Sequence, residues 1–547
     1  MNNLEVISVS SLEKVIPSKR PELLEKENSC FQNEIFSFQI AYFHHTDYLL
    51  LHRCTWKVEG DLKEFITVRP VALMPCTTAV NTSLDEHYLT HSATLMPDLL
   101  SDEREFFIRY RQWHSLWVTV KGELPVGKHI IAVRLFDKDG AEIGKIEYTL
   151  NVLNGQLPKV DLKYAHWFHY DSIAEYYKLP VWSEQYNKVM NKFIQNAVDH
   201  GVNTLLVPLF TPPTNTKIGG ERTTTQLIDV KYENEQYVFD FNRLKWFLKN
   251  AESLGVKYFE MCHLYTQWGA EKSAKVVVCE GGKQVKRFGW EEDALGEKYT
   301  RFMKCFIPKL VEFLKGEGYG EDRCFFHISD EPSVGALPRY LEIRALLKPM
   351  LGEYKIFDAL SDFEFSSGGA VDMPVVETQH ATPFLQNKVE HLWVYYCLGD
   401  GYNGLSNRFM SMPSWRTRII GIQLYAVGCE GLLHWGYNYY NTALSEEYIN
   451  PYVITDAWGS FQSGDSFVVY PGKDGAPLDS VRHEVLFEGF QDYAMLKLLE
   501  GRIGRDEVLR LLKENGVEQN FTDYPKNAEW LIKFRNEVYK KLKIAKK

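Results

Sequence analysis

The first 155 residues alternate between apolar and polar positions with the two-residue period of β-strands. The alternation is clear over 34–43 and 114–120, and 127–153 contains two alternating runs around the turn sequence DKDG, which predicts a hairpin. Short alternating strands separated by turn signals are typical of a β-sandwich. The pattern therefore predicts a sandwich over residues 1–155, with the segment 154–159 as its linker to the rest of the chain.

After this linker the pattern changes to short apolar runs that alternate with amphipathic stretches of helical period. The candidate strands are 164–170, 204–210, 257–263, 324–330, 355–361, 374–379, 391–397 and 431–437. The clearest candidate helices are 183–201, 241–255 and 298–318. Eight strands that alternate with helices predict a (β/α)8 TIM barrel over residues 156–502, in which the helices after the fifth and sixth strands are short.

The end of the chain has a purely helical pattern. A closing helix is predicted over 480–501, and two amphipathic helices over about 503–515 and 525–545 form a short C-terminal helical extension, residues 503–547. The expected fold class is thus α/β: a TIM barrel preceded by an N-terminal β-sandwich and followed by this extension.

Composition narrows the class of function. With a net charge of -10 there is no basic stripe for phosphate contacts, so we expect no nucleic-acid partner. Nine scattered cysteines without a C-x-x-C pair indicate reduced thiols, and the first residues lack the features of a signal peptide. No apolar stretch is long and unbroken enough to span a bilayer. We therefore expect a cytoplasmic protein without a membrane partner. The high aromatic content, 14%, suits stacking on sugar rings.

Catalytic residues of TIM barrels lie at the carboxyl ends of the strands, and the fourth predicted strand ends in two adjacent carboxylates, Asp330 and Glu331. Such a pair is most often a solvated turn, but the apolar strand before it and Pro332 after it favour a pocket. Repulsion between the two would raise one pKa, as a general acid requires. A metal held by His327 and this pair is a weaker alternative, because no other strand offers marked ligands. We expect no metal and no cofactor.

Other strand ends carry aromatic and polar side chains that suit a sugar. The candidate substrate-binding residues are Trp167, His169, His263, His327, Tyr395, Trp435, Tyr437 and Asn438. Each alone is more typical of packing, but together at one barrel mouth they predict a concave pocket. The long segment 264–290 is either one wall of this pocket or an exposed flap.

Several phrases of the barrel resemble glycoside hydrolase family 123, the N-acetyl-β-galactosaminidases. They are HLYTQWGA (263–270), RFGWEEDA (287–294), FHISDEP (326–332), HWGYN (434–438), and SFVVYPGKDG followed by SVRHEVLFEGFQDY (480–493). The resemblance covers about 164–500 in matching order. It implies that Asp330 orients and stabilises the substrate's acetamido group and that Glu331 is the acid/base.

Geometry bears on the mechanism as well. A retaining enzyme with a protein nucleophile needs two carboxyls about 5 Å apart on different sides of the scissile bond, which neighbours at one strand end do not easily achieve. The substrate's 2-acetamido oxygen is the known alternative nucleophile. We therefore predict a retaining hydrolase. The resemblance implies that it releases N-acetyl-β-D-galactosamine, and the expected cytoplasmic location, where short glycans are the substrates, predicts exo action on the terminal residue of a small oligosaccharide or glycoside. A catalytically silent sugar-binding protein and a hydrolase of a different β-linked sugar are the alternatives, and the oligomeric state is left open.

Overall fold

The computed structural model describes residues 4–45, 52–80 and 85–544. Its N-terminal part consists of two facing five-stranded sheets. The strands of the first, in spatial order, are Leu4–Ser10, Phe36–His44, His114–Val120, Ile66–Cys76 and Thr94–Leu100. Those of the second are Glu27–Phe31, Glu142–Leu153, Gly127–Asp137, His52–Glu59 and Phe106–Ile108. Apolar side chains of both sheets share one core, in which the Phe38 and Tyr148 rings stack at 4.0 Å between centroids. The predicted sandwich is confirmed.

Eight parallel strands form the closed barrel that was predicted. They are Lys163–His166, Thr204–Val207, Tyr258–Met261, Cys324–Phe326, Lys355–Leu360, Met373–Glu377, Trp393–Tyr395 and Gly431–His434, called here the first to eighth barrel strands. The first pairs with the eighth and closes the barrel. Nearly all their side chains are buried, because each strand is covered by a helix outside and by packed side chains inside. This explains why the strands read as continuous apolar runs.

Most of the described helices pack around the barrel, and the last two pack against the helix Val481–Ile503. The helices are Tyr170–Tyr177, Glu184–Asp199, Asn242–Ser253, Glu297–Gly316, Leu337–Leu351, Glu364–Ser367, Ala381–Gln386, Ser414–Arg418, Ile420–Val427, Val481–Ile503, Arg505–Glu514 and Ala528–Ile544. The helix Glu184–Asp199 is typical: the Ser183 hydroxyl accepts the Tyr186 backbone N–H at 3.2 Å and caps it. The helices after the fifth and sixth strands are short, as predicted. No helix in the described ranges has the length and apolarity needed to cross a bilayer.

The segment 264–290 is more ordered than a loop. Its second half forms the hairpin Val276–Glu280 and Lys283–Phe288, which joins a second hairpin, Asp229–Glu233 and Gln236–Asp240, in a four-stranded sheet. The turn is Gly281-Gly282, with both φ angles positive, and a Gly-Gly pair between alternating runs is a hairpin signal. A further two-stranded sheet, Val469–Pro471 with Pro477–Asp479, precedes the closing helix.

The sandwich packs on the barrel through the helix Val481–Ile503. A single apolar core joins residues of the sandwich, this helix and the C-terminal helices, including Trp117, Val485 and Phe534. Arg482 also forms a buried two-pronged ion pair with Asp98 of the sandwich, at 2.7 and 2.9 Å. The boundaries proposed at residues 155 and 502 stay a prediction.

Candidate active site

A pocket of about 230 Å³ opens at the carboxyl ends of the barrel strands. Its lining combines three carboxylic acids with several aromatic and amide side chains. They are Asp330, Glu331 and Asp465, then Trp167, Trp268, Tyr395, Trp435 and Phe461, then Asn215 and Gln267. Such a mixture of flat apolar faces with a few polar groups is suited to a sugar ring.

Asp330 and Glu331 follow the fourth strand, and both side chains line the pocket. Successive side chains of an extended strand point to opposite faces, so a bend is needed to bring both to one side. Glu331 supplies it, with a left-handed φ of 44°, and its backbone N–H donates to the Ala359 carbonyl at 3.1 Å. A left-handed glutamate is strained, and strain of this kind is concentrated at functional sites.

The surroundings of the pair favour protonation. Burial and the neighbouring Glu331 charge raise the pKa of Asp330 well above its usual range. Burial also raises the pKa of Glu331, as does Glu377, while the Tyr395 hydroxyl, which donates to Glu331 Oε1 at 2.6 Å, acts to lower it. Although the pocket surrounds Glu331, this residue is exposed to solvent. Because the two carboxyls repel, they titrate as one unit, which can hold a single proton.

A charged network lies beneath the pair. His327 is fully buried between Asp358, 2.9 Å from Nδ1, and Glu260, 3.1 Å from Nε2. Burial alone would lower the pKa of His327, but the two carboxylates outweigh it and raise this pKa to about 9. Trp167, on the pocket wall, donates its indole N–H to the same Glu260 oxygen at 2.9 Å. The imidazolium thus places a positive charge beneath the pair.

Asp358, on the fifth strand, also fixes the backbone that leads into Asp330. Its carboxylate accepts the backbone N–H groups of Ile328 at 3.0 Å and Ser329 at 3.2 Å, together with the Tyr340 hydroxyl. Because Asp358 itself is completely buried, this turn is rigidly held.

Comparison with known proteins identifies the family. Residues 167–499, more than half of the chain, match the model of the glycoside hydrolase 123 catalytic domain. The chain belongs to glycoside hydrolase family 123. The resemblance noted in the sequence is thereby confirmed.

Solved structures agree at the level of the fold. A family 123 glycoside hydrolase from Clostridium perfringens, described for glycolipid glycan hydrolysis, superposes with a TM-score of 0.74 at 13% identity over 99% of this chain and 98% of its own. Two other glycoside hydrolases are far more distant. A family 2 β-galacturonidase from Eisenbergiella tayi has a TM-score of 0.33 at 11% identity over 84% of this chain and 71% of its own. A family 5 xyloglucanase from Bacteroides ovatus has a TM-score of 0.28 at 8% identity over 85% of this chain and 98% of its own. Among curated proteins, none matches this sequence.

In this family 123 chain, the predicted substrate-binding residues fall into three groups. Trp167, Tyr395 and Trp435 line the pocket. His263 and His327 lie beneath it, with their rings stacked at 4.2 Å between centroids. Neither His263 ring nitrogen has a hydrogen-bond partner within the described part of the chain.

The third group, His169, Tyr437 and Asn438, contacts protein rather than the pocket. His169 Nε2 lies 2.8 Å from the Trp435 carbonyl, and Asn438 Oδ1 accepts the His169 backbone N–H at 2.8 Å. The Tyr437 hydroxyl donates to the Phe193 carbonyl at 3.0 Å. The bonds of His169 join the ends of the first and eighth strands and hold Trp435 in position, whereas the Tyr437 bond runs to the helix Glu184–Asp199.

Several pocket residues were not singled out from the sequence. Asn215 comes from the loop after the second strand, and Phe461 and Asp465 come from the long segment after the eighth. Asp465 lies directly before the family-like phrase SFVVY, which is the signal that could have drawn attention to it. Gln267 and Trp268 show that the first part of 264–290 is a pocket wall.

A metal site beneath the pocket has little support from the contacts. His263, His327 and Asp358 lie close enough together to share an ion. However, both nitrogens of His327 already face carboxylates at hydrogen-bonding distance, as expected of an imidazolium. Hydrogen bonds from a protonated His327 to Asp358 and Glu260 therefore explain, without a metal ion, why these side chains lie together.

Proposed function

We propose that this protein is a retaining, exo-acting β-N-acetylgalactosaminidase in which the substrate's own 2-acetamido oxygen is the nucleophile. The observation that carries the proposal is the pair Asp330 and Glu331, which are adjacent in sequence and both line the pocket. From one strand end the two reach neighbouring substrate atoms, the acetamido group and the glycosidic oxygen, rather than opposite faces of the sugar.

Asp330 is suited to the acetamido group. No hydrogen bond from a described residue occupies its carboxylate, so it is available to accept the substrate N–H. That hydrogen bond favours the charged form of Asp330 and leaves the shared proton on Glu331. The charge of Asp330 then balances the positive charge that develops on the acetamido group.

Glu331 performs both proton transfers. As the acetamido oxygen bonds to the anomeric carbon, the bond to the leaving oxygen breaks and Glu331 gives that oxygen its proton. Water then attacks the anomeric carbon of the bicyclic oxazolinium ion, Glu331 takes a proton from this water, and the acetamido group is restored. The sugar leaves with its original β configuration.

The dimensions of the pocket support action on a terminal sugar. Its volume of about 230 Å³ is below the roughly 300–1,000 Å³ of pockets for larger ligands. All nine cysteines are free thiols, which supports a reducing, cytoplasmic compartment where short glycans are the available substrates. The galacto configuration rests on the family resemblance.

Asp465 gives a specific reason to consider a second function, a hydrolase of another β-linked sugar. As a third carboxyl in the pocket, it could serve as a protein nucleophile in an ordinary double displacement.

One experiment separates the two functions. Aryl β-galactosides with a 2-acetamido or a 2-hydroxyl group are compared, and gluco epimers are included. We expect hydrolysis of the 2-acetamido substrate and almost none of the 2-hydroxy substrate, which lacks the nucleophile. Rapid cleavage of the 2-hydroxy galactoside, or a sugar found attached to a protein carboxylate by mass spectrometry, would contradict substrate assistance. A silent binding protein would cleave neither.

A further inference from the structure

Asp465 is a buried carboxyl that faces the pocket with unused hydrogen-bonding capacity. Its residue is 1% exposed, and neither carboxylate oxygen forms a hydrogen bond within the described part of the chain. Trp435 lies close enough to favour the charged form, although its indole N–H does not reach hydrogen-bonding geometry. Burial raises the pKa of Asp465 to about 7. A carboxyl in this environment is costly to keep without donors.

A hydrogen-bond donor, the imidazole of His434, lies beside the Asp465 carboxyl. His434, at the end of the eighth strand, accepts the Arg408 Nη2 hydrogen at 2.7 Å and the Gly436 backbone N–H at 3.0 Å, both on Nδ1. These contacts assign the imidazole proton to Nε2. Nε2 is 3.7 Å from Asp465 Oδ1, too far for a hydrogen bond, and has no other described partner. Because His434 does not line the pocket, it is a neighbour of the Asp465 carboxyl, and Asp465 is the group of the two that a ligand can contact.

The backbone around Asp465 is held firmly in place. Arg482 Nη1 donates to the carbonyls of Gly464 at 2.6 Å and Phe467 at 3.0 Å, and Arg408 Nη2 donates to the carbonyl of Asp465 itself at 2.9 Å. Both arginines are completely buried. The carboxyl is therefore presented to the pocket by a rigid support, which is what selective binding requires.

The barrel topology sets the distance between Asp465 and the catalytic pair. Asp330 and Glu331 follow the fourth strand, whereas His434 and its neighbour Asp465 lie at the eighth, and the fourth and eighth strands of an eight-stranded barrel are on opposite sides. In a pyranose ring, C4 lies opposite C1. A ring with its anomeric carbon and acetamido group at Asp330 and Glu331 therefore directs C4 and its hydroxyl toward Asp465.

We propose that Asp465 binds the 4-hydroxyl of the substrate. This inference rests on the proposed function, which places the acetamido group at Asp330. The 4-hydroxyl donates to the Asp465 carboxylate and supplies the donor that this buried group lacks. A sugar without this hydroxyl leaves the carboxylate buried and unpaired, and sites of this kind reject such analogues by large factors.

The test compares an aryl 2-acetamido-β-galactoside with its 4-deoxy analogue. We expect the wild type to prefer the parent by about 100-fold or more in kcat/KM. Asp465→Asn and Asp465→Ala should lower kcat/KM on the parent by about the same factor and change it less than about fivefold on the 4-deoxy substrate, so that the preference disappears. Ser466→Ala is the matched control, because Ser466 is the next residue, is equally buried with an unpartnered hydroxyl, and does not line the pocket. It should retain the full preference.

Three results would overturn the proposal. They are a wild type that cleaves the 4-deoxy substrate as fast as the parent, equal losses on both substrates in the Asp465 variants, and a covalent sugar on Asp465. The first needs no variant and is independent of folding. If the wild type instead prefers a 2-hydroxy sugar, the proposed function fails while the role of Asp465 is tested with the 4-deoxy analogue of that sugar. If it cleaves none, calorimetric binding of the free sugars and their 4-deoxy forms gives the same comparison.

Discussion

The hydrogen bond from Tyr395 to Glu331 can be removed with little change of shape by Tyr395→Phe. In the wild type the buried hydroxyl donates to Glu331 Oε1 at 2.6 Å and favours the charged carboxylate against burial and Glu377. Its loss must therefore raise the pKa of Glu331. A hydrogen bond to a charged group contributes about 1.5–3 kcal/mol. Solvent screens this interaction because Glu331 is exposed, and one pH unit corresponds to about 1.4 kcal/mol, so we expect a displacement of about one pH unit.

The assay is the pH dependence of kcat/KM, which reports groups of the free enzyme. Glu331 must be protonated to act as the acid, so it sets the alkaline limb, and Tyr395→Phe should move this limb upward. Tyr396→Phe is the matched control: Tyr396 is adjacent and buried, its hydroxyl has no described hydrogen-bond partner, and it does not line the pocket. An alkaline limb that stays in place or moves downward in Tyr395→Phe would refute the assignment of Glu331 as the acid.

Three further variants test the site and its support. Asp330→Asn should lower kcat at least about 100-fold, or roughly 2.7 kcal/mol, on an aryl 2-acetamido substrate, and a tenfold loss or less would count against charge balance at the acetamido group. Glu331→Gln should slow substrates with poor leaving groups most, and equal slowing of an activated phenol would exclude it as the acid. Burial opposes the charge of His200, but Asp479 and Glu484 raise its pKa to about 9, above about 6.5 in the unfolded chain. The stability that charged His200 contributes is then complete below pH 6.5 and is lost as the pH rises through 9. Between these pH values Tm should therefore fall less in His200→Gln than in the wild type. Parallel Tm curves for the two proteins would refute this role of His200.

The fold was predictable because its elements have distinct periods. The barrel strands are buried on both faces and therefore read as apolar runs, and each overlaps a predicted run. The hairpin 276–288 was not predicted within the segment 264–290, although its buried Val276 and Val278 alternate with less buried neighbours and a Gly-Gly turn follows.

The site was most predictable where chemistry coincides with a strand end. Tyr395 ends a strand, Trp167 and Trp435 each follow one by a single residue, and barrel geometry brings such positions together at the pocket. Further past a strand, position alone does not decide, since the chain turns and alternation no longer fixes direction. Asp330 and Glu331, four and five residues past Phe326, line the pocket, whereas Tyr437 and Asn438, three and four residues past His434, contact protein.

Asp465 was beyond reach of local reasoning because its position depends on contacts across the chain. The two halves of the pocket are supported separately: Asp358 and His327 hold the catalytic pair from within the barrel, whereas Arg482 holds the Asp465 segment and is itself neutralised by Asp98 of the sandwich. Asp98→Ala, which leaves Arg482 buried without its carboxylate, should cost about 3–5 kcal/mol of stability. Removal of the sandwich should therefore destabilise the protein before it changes sugar preference, because the segment that presents Asp465 cannot keep its geometry once Arg482 loses its partner.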